Sequence, residues 1–295
     1  MGAPSISVIV PSYNYAHFAA ECIASVVDQD YPNMELVVVD DGSKDDSVNL
    51  LERLSAQEDV QRAFRGRVRI ELNPRNLGTH ETINRGIKLS TGDYVGILNA
   101  DDTYAPHRLK RMIQSVTAAE ARFAFSKVDF IDQDGALVSR PSPLAHRLRH
   151  RQSAIERFPT VGFACLASNV AISTGNFLFE RRLFDEVGPF GNLRYCHDWD
   201  FLLRCLLTTE PLYVPESGYN YRVHGANSFR SLEHVAASES EIVYRNYFDH
   251  VTMNRHTNRK APGPVSWPGV FESFMETYGL WAHWSGDKPN GANGA

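Results

Sequence analysis

Hydrophobic residues near the start of the chain occur first in a continuous run and then at helical spacing. Ser5–Val10 and Met34–Val39 are rich in Val and Ile, as expected for strands that are covered on both faces. Between these runs, apolar residues recur every three or four positions, at Phe18, Cys22, Ile23, Val26 and Val27. The pattern predicts an amphipathic helix between two buried strands.

The same alternation continues to about residue 130. Three more strands are predicted, over Arg67–Leu72, Tyr94–Leu98 and Phe123–Phe130. Helices are expected after Ser43, which is a good N-cap, over Thr79–Leu89, and after Pro106. Strands and helices that alternate at this spacing indicate an α/β fold, with an open, twisted, mostly parallel sheet flanked by helices.

After residue 131 the alternation stops, and shorter ordered segments follow. The Pro- and Arg-rich segment Arg140–Arg151 is predicted to be an exposed excursion. Val270–Trp284 has apolar side chains on one side of a predicted helix, and the Gly- and Asn-rich tail from Ser285 is predicted to be disordered. These changes divide the chain into residues 1–130, residues 131–230, and a C-terminal helical extension over 231–295 with a disordered tail.

Composition then narrows the class of protein. The 295 residues are 43% hydrophobic and 22% charged, which is enough apolar material for a large core. Thirty basic residues against 35 acidic ones give a net charge of −5, which disfavours nucleic acid as a partner. No apolar run approaches the roughly 18 residues that a membrane span requires. The four cysteines have no metal-type or disulfide-type spacing, so a soluble protein in a reducing cytosol is expected.

Polar clusters follow three of the predicted strands. Pro11–Asn14 follows the first strand, Asp40–Ser43 the second and Asn99–Asp102 the fourth. Because ligands in open α/β sheets bind beyond the carboxyl ends of the strands, we expect these clusters to face one site. Their four carboxylates would repel one another unless a cation or a polar ligand lay among them. Oxygen ligands of this kind suit Mg²⁺ or Mn²⁺, ions that commonly bridge to a substrate diphosphate.

These segments resemble the motifs of the family 2 glycosyltransferases, whose fold is called GT-A. The N-terminal motifs are Val8–Asn14, Val37–Ser43, Asn76–Gly78 followed by Asn84, and Leu98–Asp102. Two later segments are similar to the acceptor-side motif and the late Arg-x-His segment of the family: His197–Asp200 followed by Arg204, and Tyr221–His224. The motifs come in the order and at the spacing of the family, over about residues 5–230. The resemblance implies one GT-A domain, with a nucleotide-sugar-binding half over 1–130 and an acceptor-binding half over 131–230.

The resemblance also implies a set of donor contacts. Tyr13 would lie against the nucleobase, and Asp41 would accept a hydrogen bond from a ring N–H, which uracil, thymine and guanine offer but adenine does not. The alternative for Asp41 is a turn carboxylate that accepts the amides of Gly42 and Ser43. A UDP-sugar is the first choice of donor, with dTDP or GDP as alternatives. The nucleotide-binding residues implied in this way are Pro11, Tyr13, Asn14, Asp41, Asn76, Gly78, Asn84, Asn99 and Asp101.

A metal site follows from the same resemblance. Asp101 would contact the donor ribose, and Asp102 would bind Mn²⁺ or Mg²⁺ on the diphosphate, where a cation neutralises the leaving group. Asn99 stands where the family often has another acid, and it brings no charge. His224 is a second candidate ligand for the metal or the diphosphate, and the alternative is a histidine with a purely structural role.

The acceptor-side motif provides the candidate base. Asp198 matches the catalytic acid of the family motif and would take the proton of the acceptor hydroxyl, opposite the leaving group, so that the anomeric carbon inverts. Asp200 is the rival, but residues 198 and 200 of a helix point about 200° apart, so both cannot face the site. His197, Trp199 and Arg204 are the other acceptor-side candidates. The alternative role for Trp199 is that of a core residue. The alternative role for Arg204 is an ion pair with Asp200.

The sequence therefore predicts a metal-dependent, inverting glycosyltransferase. It would move one sugar from a nucleoside-diphosphate sugar to a hydroxyl of a glycan or glycolipid in polysaccharide or cell-surface glycan assembly. The alternative is a non-catalytic nucleotide-sugar or glycan-binding module on the same fold. A cytoplasmic location is expected, at the inner face of the membrane if the Arg140–Arg151 run contacts lipid. No oligomeric state follows from the sequence.

Overall fold

The computed structural model describes residues 3–139, 142–225 and 232–286. In these ranges the strands are β1 (Ile6–Ser12), β2 (Met34–Asp40), β3 (Val68–Leu72), β4 (Tyr94–Ile97), β5 (Thr103–Tyr104), β6 (Phe123–Ile131), β7 (Phe177–Glu180) and β8 (Leu212–Arg222). The helices are α1 (Ala16–Val27), α2 (Ser47–Ser55), α3 (Glu58–Ala63), α4 (Thr79–Leu89), α5 (Arg108–Ala119), α6 (Pro143–Ser153), α7 (Val161–Ala167), α8 (Arg181–Val187), α9 (His197–Leu206), α10 (Glu233–Thr252) and α11 (Val270–Thr277). Short 3-10 turns lie at Ile155–Arg157, Thr174–Asn176 and Leu280–His283.

The described strands form one open sheet in the order β3-β2-β1-β4-β7-β6-β8-β5. The first four strands are parallel to one another, and β6 is parallel to β8. Strand β7 runs antiparallel to both β4 and β6, and β5 runs antiparallel to β8. The expected α/β class is confirmed. The sheet is mixed, because the second half of the chain adds strands of both directions to a parallel first half.

The apolar pattern of β1 explains why the sheet is covered on both faces. Val8 and Val10 belong to a hydrophobic cluster that includes Cys22 of α1, whereas Ile9 belongs to a second cluster with Ile83 of α4. Alternate residues of a strand point to opposite faces, so a continuous apolar run serves a helix on each side. Each fully buried side chain of this type contributes about 1.5–3 kcal/mol relative to an exposed one. This burial holds the carboxyl ends of β1 and β2 in register.

The Arg-rich segment is not the exposed excursion that the sequence predicted. It forms α6, whose N-cap Ser142 accepts a hydrogen bond from the backbone N–H of Ala145 at 3.2 Å. One face of the helix is buried, through Leu144, Ala145, Leu148 and Gln152. The few apolar residues are spaced for a helix, but the surrounding Arg and His residues hide that spacing. Arg140 and residue 141 lie outside the described residues.

The C-terminal segments pack onto the main core. Tyr247 and Phe248 of α10 and Phe271 of α11 belong to the same hydrophobic cluster as Phe201 of α9. The helix predicted over Val270–Trp284 is shorter, since α11 ends at Thr277. The predicted disordered tail lies outside the described residues from residue 287 onward. None of the described helices combines the length and the apolar character needed to cross a membrane.

Candidate active site

A cavity of about 590 Å³ lies at the carboxyl ends of β1, β2 and β4. Its volume falls in the range of roughly 300–1,000 Å³ that is typical of small-molecule sites. The residues predicted to act in the site that line it are Pro11, Tyr13, Asp41, Asn76, Gly78, Asn99, Asp101, Asp102, His197, Asp198 and Trp199. Most of the site residues predicted from the sequence therefore line one cavity.

Asp41 fixes the loop that borders the strand-end side of this cavity. Its Oδ1 accepts hydrogen bonds from Asn73 Nδ2 and from the Leu77 backbone N–H, both at 2.8 Å, and its Oδ2 accepts the Gly78 N–H at 2.9 Å. A carboxylate has about four lone-pair sites, so capacity for one more donor remains. The predicted bond from Asp41 to a ring N–H of the base stays a prediction.

The turn after β2 is held by the preceding acid rather than by Asp41. Asp40 accepts the Ser43 backbone N–H at 2.8 Å and the Ser43 hydroxyl at 2.6 Å, so Ser43 serves this turn and does not cap α2. Gly42 has φ +74°, and a Cβ there would lie 2.7 Å from the carbonyl carbon of Arg75. Only glycine fits this close approach without strain. The alternative in which Asp41 accepts the Gly42 and Ser43 amides is therefore wrong.

Two predicted nucleotide ligands, Asn14 and Asn84, do not line the cavity. Asn14 joins two loops, because its Oδ1 accepts the Lys44 N–H at 2.7 Å and its own N–H donates to Ser43 Oγ at 2.8 Å. Asn84 is buried in α4, where its amide donates to the Phe190 carbonyl at 2.9 Å and accepts the Phe190 N–H at 2.8 Å. Both ends of the Asn84 amide contact the backbone of Phe190, so the prediction for Asn84 is corrected to a structural role. Asn14 is exposed, and its predicted contact with the nucleotide stays a prediction.

The acidic end of the cavity is a compact network around Asp102, whose surface is 1% exposed. Its Oδ1 accepts the Arg222 N–H at 2.7 Å, and its Oδ2 accepts the Tyr219 hydroxyl and the Asn99 amide. Burial and the neighbouring charge of Asp101 raise the pKa of Asp102. Asp101 itself lies 3.1 Å from the Nε2 atom of His224. The adjacent carboxylates of Asp101 and Asp102 are therefore both largely shielded from water.

The donor set fits a cation that binds together with a diphosphate. Asp101 and Asp102 offer the oxygen ligands that Mn²⁺ and Mg²⁺ prefer, and a cation would relieve the repulsion between them. In the described part of the chain, no group of three or more His, Cys, Asp and Glu side chains is arranged to hold a metal. Phosphate oxygens would have to complete the coordination. The imidazole of His224 faces Asp101 and packs on Phe18, and its predicted part in metal binding stays a prediction.

Asp198 lies in the first turn of α9 and lines the same cavity. Its Oδ2 accepts a hydrogen bond from Asn169 Nδ2 at 2.7 Å, and its Oδ1 accepts the Trp199 backbone N–H at 2.7 Å. Burial raises the pKa of Asp198, and the neighbouring His197 partly opposes this effect. A carboxylate whose proton affinity is raised in this way is suited to general-base chemistry.

Asp200 points to the other side of α9, as the helix geometry predicts. Its Oδ2 lies 2.8 Å from Arg204 Nη2, and its Oδ1 accepts the Asn246 amide at 3.3 Å. Arg204 also donates to the carbonyls of Val187 at 2.5 Å and Pro189 at 2.9 Å. Neither Asp200 nor Arg204 lines the cavity, so the predicted acceptor-side role of Arg204 is corrected to a structural ion pair.

His197 and Trp199 line the cavity, and each side chain has one hydrogen-bond partner within the protein. The Trp199 indole donates to the Cys165 carbonyl at 2.7 Å, and only 7% of its surface is exposed. It is mainly a core residue rather than a stacking platform for a sugar. The His197 Nε2 atom lies 3.2 Å from Thr174 Oγ1, and burial lowers the pKa of His197, which favours the neutral imidazole.

Three residues near Asp198 were not singled out from the sequence. Asn169 donates to the carboxylate, and Arg151 of α6 lines the same end of the cavity. Glu239 of α10 accepts the backbone N–H groups of residues 194, 195 and 196 at 2.7–2.9 Å, which fixes the segment that leads into α9. Only the run that contains Arg151 was visible in the sequence, because no local pattern marks an isolated Asn or Glu.

Comparison of the chain with known proteins identifies its family. Residues 7–188 match the family model described as "Glycosyl transferase family 2". The succinoglycan biosynthesis protein ExoO of Rhizobium meliloti (strain 1021) is 30% identical over 263 residues, which cover 83% of this chain and 69% of that protein. The chain spans about two thirds of the length of the curated relatives that it matches. Asp198 lies beyond the range of the family match.

Solved structures share the fold at low sequence identity. TarS from S. aureus in complex with UDP-GlcNAc has a TM-score of 0.66 at 17% identity, over 93% of this chain and 81% of that one. The mannosyltransferase PcManGT from Pyrobaculum calidifontis, in complex with GDP-Man and Mn²⁺, has a TM-score of 0.58 at 16% identity, over 98% and 78%. At these identities the likeness concerns the fold, which is GT-A. With a family match over more than half of its length, the chain belongs to glycosyl transferase family 2.

Proposed function

We propose that the protein is an inverting, metal-dependent glycosyltransferase that moves one sugar from a nucleoside-diphosphate sugar to a hydroxyl of a glycan or glycolipid. One observation carries the proposal. The strand-end groups Asp41 and Asp101 and the buried carboxylate of Asp198 line the same cavity. A role in polysaccharide or cell-surface glycan assembly is supported by the name of the ExoO relative, a succinoglycan biosynthesis protein.

The strand-end side of the cavity suits the donor. Tyr13 lines the cavity and is 38% exposed, so its ring is accessible for stacking on a base. Asp41 would accept the ring N–H, and the structures in complex with UDP-GlcNAc and GDP-Man support donors with uracil or guanine. UDP is the first choice, and dTDP and GDP are the alternatives. A Mn²⁺ or Mg²⁺ ion bound with the diphosphate at Asp102 would neutralise the charge of the leaving group.

Asp198 would act on the acceptor. It takes the hydroxyl proton while the acceptor oxygen forms its bond to the anomeric carbon, and the electron pair of the breaking C–O bond leaves with the diphosphate. Because the base and the leaving group lie on opposite faces of the sugar, the configuration inverts. Asn169 and the Trp199 N–H each hold one carboxylate oxygen, which fixes its orientation toward the cavity.

A transfer assay on a panel of nucleotide sugars with Mn²⁺ tests this function. Asp198→Asn keeps size and polarity but cannot take a proton, so turnover should fall by about 10²–10⁴ while donor affinity stays near that of the parent. Asp200→Asn is the matched control on the opposite side of α9, with its melting temperature measured because it weakens the pair with Arg204. If both variants transfer sugar at the parent rate, the base lies elsewhere.

The alternative function is a non-catalytic nucleotide-sugar or glycan-binding module. It would be favoured if the parent protein binds a nucleotide sugar but neither transfers nor hydrolyses it with any acceptor and metal. The burial of Asp198 among hydrogen-bond donors in the same cavity as Asp101 supports the enzyme instead.

A cytoplasmic location with contact to the inner face of the membrane is also proposed. His146, Arg147 and His150 are exposed on α6, which supports attraction to an anionic surface. Sedimentation with vesicles that contain anionic or only zwitterionic lipid tests this contact. Equal binding to both vesicles would contradict it.

A further inference from the structure

Arg151, in the last turn of α6, extends its side chain to the wall of the large cavity. Among the described residues, its guanidinium forms no hydrogen bond and no ion pair. Arg149 of the same helix differs, because it packs over the Phe130 ring at 5.3 Å and donates to the Val138 carbonyl at 3.3 Å. In the described part of the chain, the guanidinium of Arg151 is therefore held at the cavity wall without an anionic partner.

The surroundings of Arg151 make this unpaired state costly. The side chain is half-buried, and burial lowers the pKa of Arg151, while Tyr195 and Asp198 act in the opposite direction. A charge that loses part of its hydration without a partner is unfavourable. Asp198 is near enough to influence it, but the Asp198 oxygens accept from Asn169 and from the Trp199 N–H. Arg151 is thus not the ion-pair partner of the candidate base.

A second arginine, Arg194, lines the same cavity. Arg194 is exposed on the loop that leads into α9, and its backbone N–H is held by Glu239 at 2.8 Å. No other Lys or Arg lines the cavity in the part of the chain that the structure describes. The strand ends therefore line the cavity with the carboxylates of Asp41, Asp101 and Asp102, whereas the part near Asp198 also has guanidinium groups. A guanidinium presents paired N–H donors that match a carboxylate or a phosphate.

We propose that Arg151, assisted by Arg194 at the rim, binds an oxyanion of the acceptor, the carboxylate of an acidic sugar or the phosphate of a phosphorylated acceptor. The inference rests on the proposed function, since it names the acceptor chemistry for the same cavity. The anionic group would lie beside the hydroxyl that Asp198 deprotonates. Arg151 would then select acceptors by charge and leave donor selection to the strand ends.

Isothermal titration on the full chain tests this inference, with UDP and Mn²⁺ present to fill the nucleotide end. The probes are methyl glucuronide, glucose 6-phosphate and the neutral methyl glucoside. At least one acidic probe should bind about tenfold or more tightly than the neutral one, as expected for hydrogen bonds to a charged group. The stronger acidic probe identifies the carboxylate or the phosphate as the preferred group. Equal affinity for all three probes, or no binding of either acidic probe, would overturn the proposal.

Substitutions test whether Arg151 causes the preference for acidic probes. Arg151→Gln should remove the preference for the acidic probe, and Arg151→Lys, which keeps the charge without the fork, should retain part of it. Arg157→Gln is the matched control, because Arg157 is exposed in the 3-10 turn that follows α6. The proposal fails if Arg157→Gln acts like Arg151→Gln, or if Arg151→Gln weakens the neutral probe equally. Separate titrations with UDP and GDP test the donor end, so the failure of nucleotide binding is distinguished from the failure of anion binding.

Discussion

The hydrogen bond from Asn169 to Asp198 allows a quantitative prediction about pH. Asn169 Nδ2 lies 2.7 Å from Asp198 Oδ2 and stabilises the ionised carboxylate. A hydrogen bond to a charged group contributes about 1.5–3 kcal/mol. Since about 1.4 kcal/mol corresponds to one pKa unit, Asn169→Ala should raise the pKa of Asp198 by about one to two units. The shift adds to the rise that burial already causes.

The sign of the effect on activity follows from the role of the base. Asp198 accepts a proton only when it is ionised, so kcat/KM falls on the acid side as pH drops through its pKa. In Asn169→Ala this acid limb should move to higher pH by about one to two units. Well above both limbs, kcat/KM should approach the parent value, and the deficit should grow as the pH falls.

The assay is kcat/KM for sugar transfer as a function of pH. Asn246→Ala is the matched control, because Asn246 donates to Asp200 on the opposite side of α9 at 3.3 Å. Its acid limb should stay at the parent position. The reasoning is refuted if Asn169→Ala lowers kcat/KM by the same factor at every pH, or if the control shifts as far as the variant.

Two further predictions concern the donor end. Asp102→Ala should abolish the Mn²⁺-dependent thermal stabilisation by UDP or GDP, which is about 2.7 kcal/mol at a hundred times the Kd, and unchanged stabilisation would exclude Asp102 from the metal site. Asp41→Ala should weaken the binding of UDP, dTDP and GDP more than that of ADP, as measured by titration. An equal loss for all four would mean that Asp41 acts only through the loop at Leu77 and Gly78.

The first half of the fold was predictable because its apolar pattern is local. The runs that contain Val8 and Val38 are long and continuous, and the structure covers both faces of each strand. The edge at which these strands end follows from parallel pairing, so the polar clusters could be assigned to one site. The direction of β7 was not predictable, because its pairing with β4 and β6 depends on contacts between distant segments.

The errors at the site have a common physical cause. Asn84 lies in a motif of the family, but its amide both donates to and accepts from the backbone of Phe190 in this fold. Residue type and spacing indicate which side chains are near the cavity. They do not indicate which hydrogen bonds those side chains already make. Arg204 was misassigned for the same reason, since its partners come from α9 itself, from the last residue of α8 and from the loop between the two helices.

Glu239 shows how far the site depends on chain beyond the family match, which ends at residue 188. Its carboxylate is buried and accepts three backbone N–H groups ahead of α9, and Glu239→Gln would turn an NH₂ group toward those donors. We expect a loss of about 1.5–3 kcal/mol in chemical denaturation. Turnover should also fall while UDP affinity is kept, because the displaced segment carries Asp198 and not the strand ends. Glu241→Gln is the control on the same helix, since its exposed pair with Arg245 contributes only about 0.3–0.5 kcal/mol. Equal denaturation midpoints for the two variants would show that Glu239 does not hold α9.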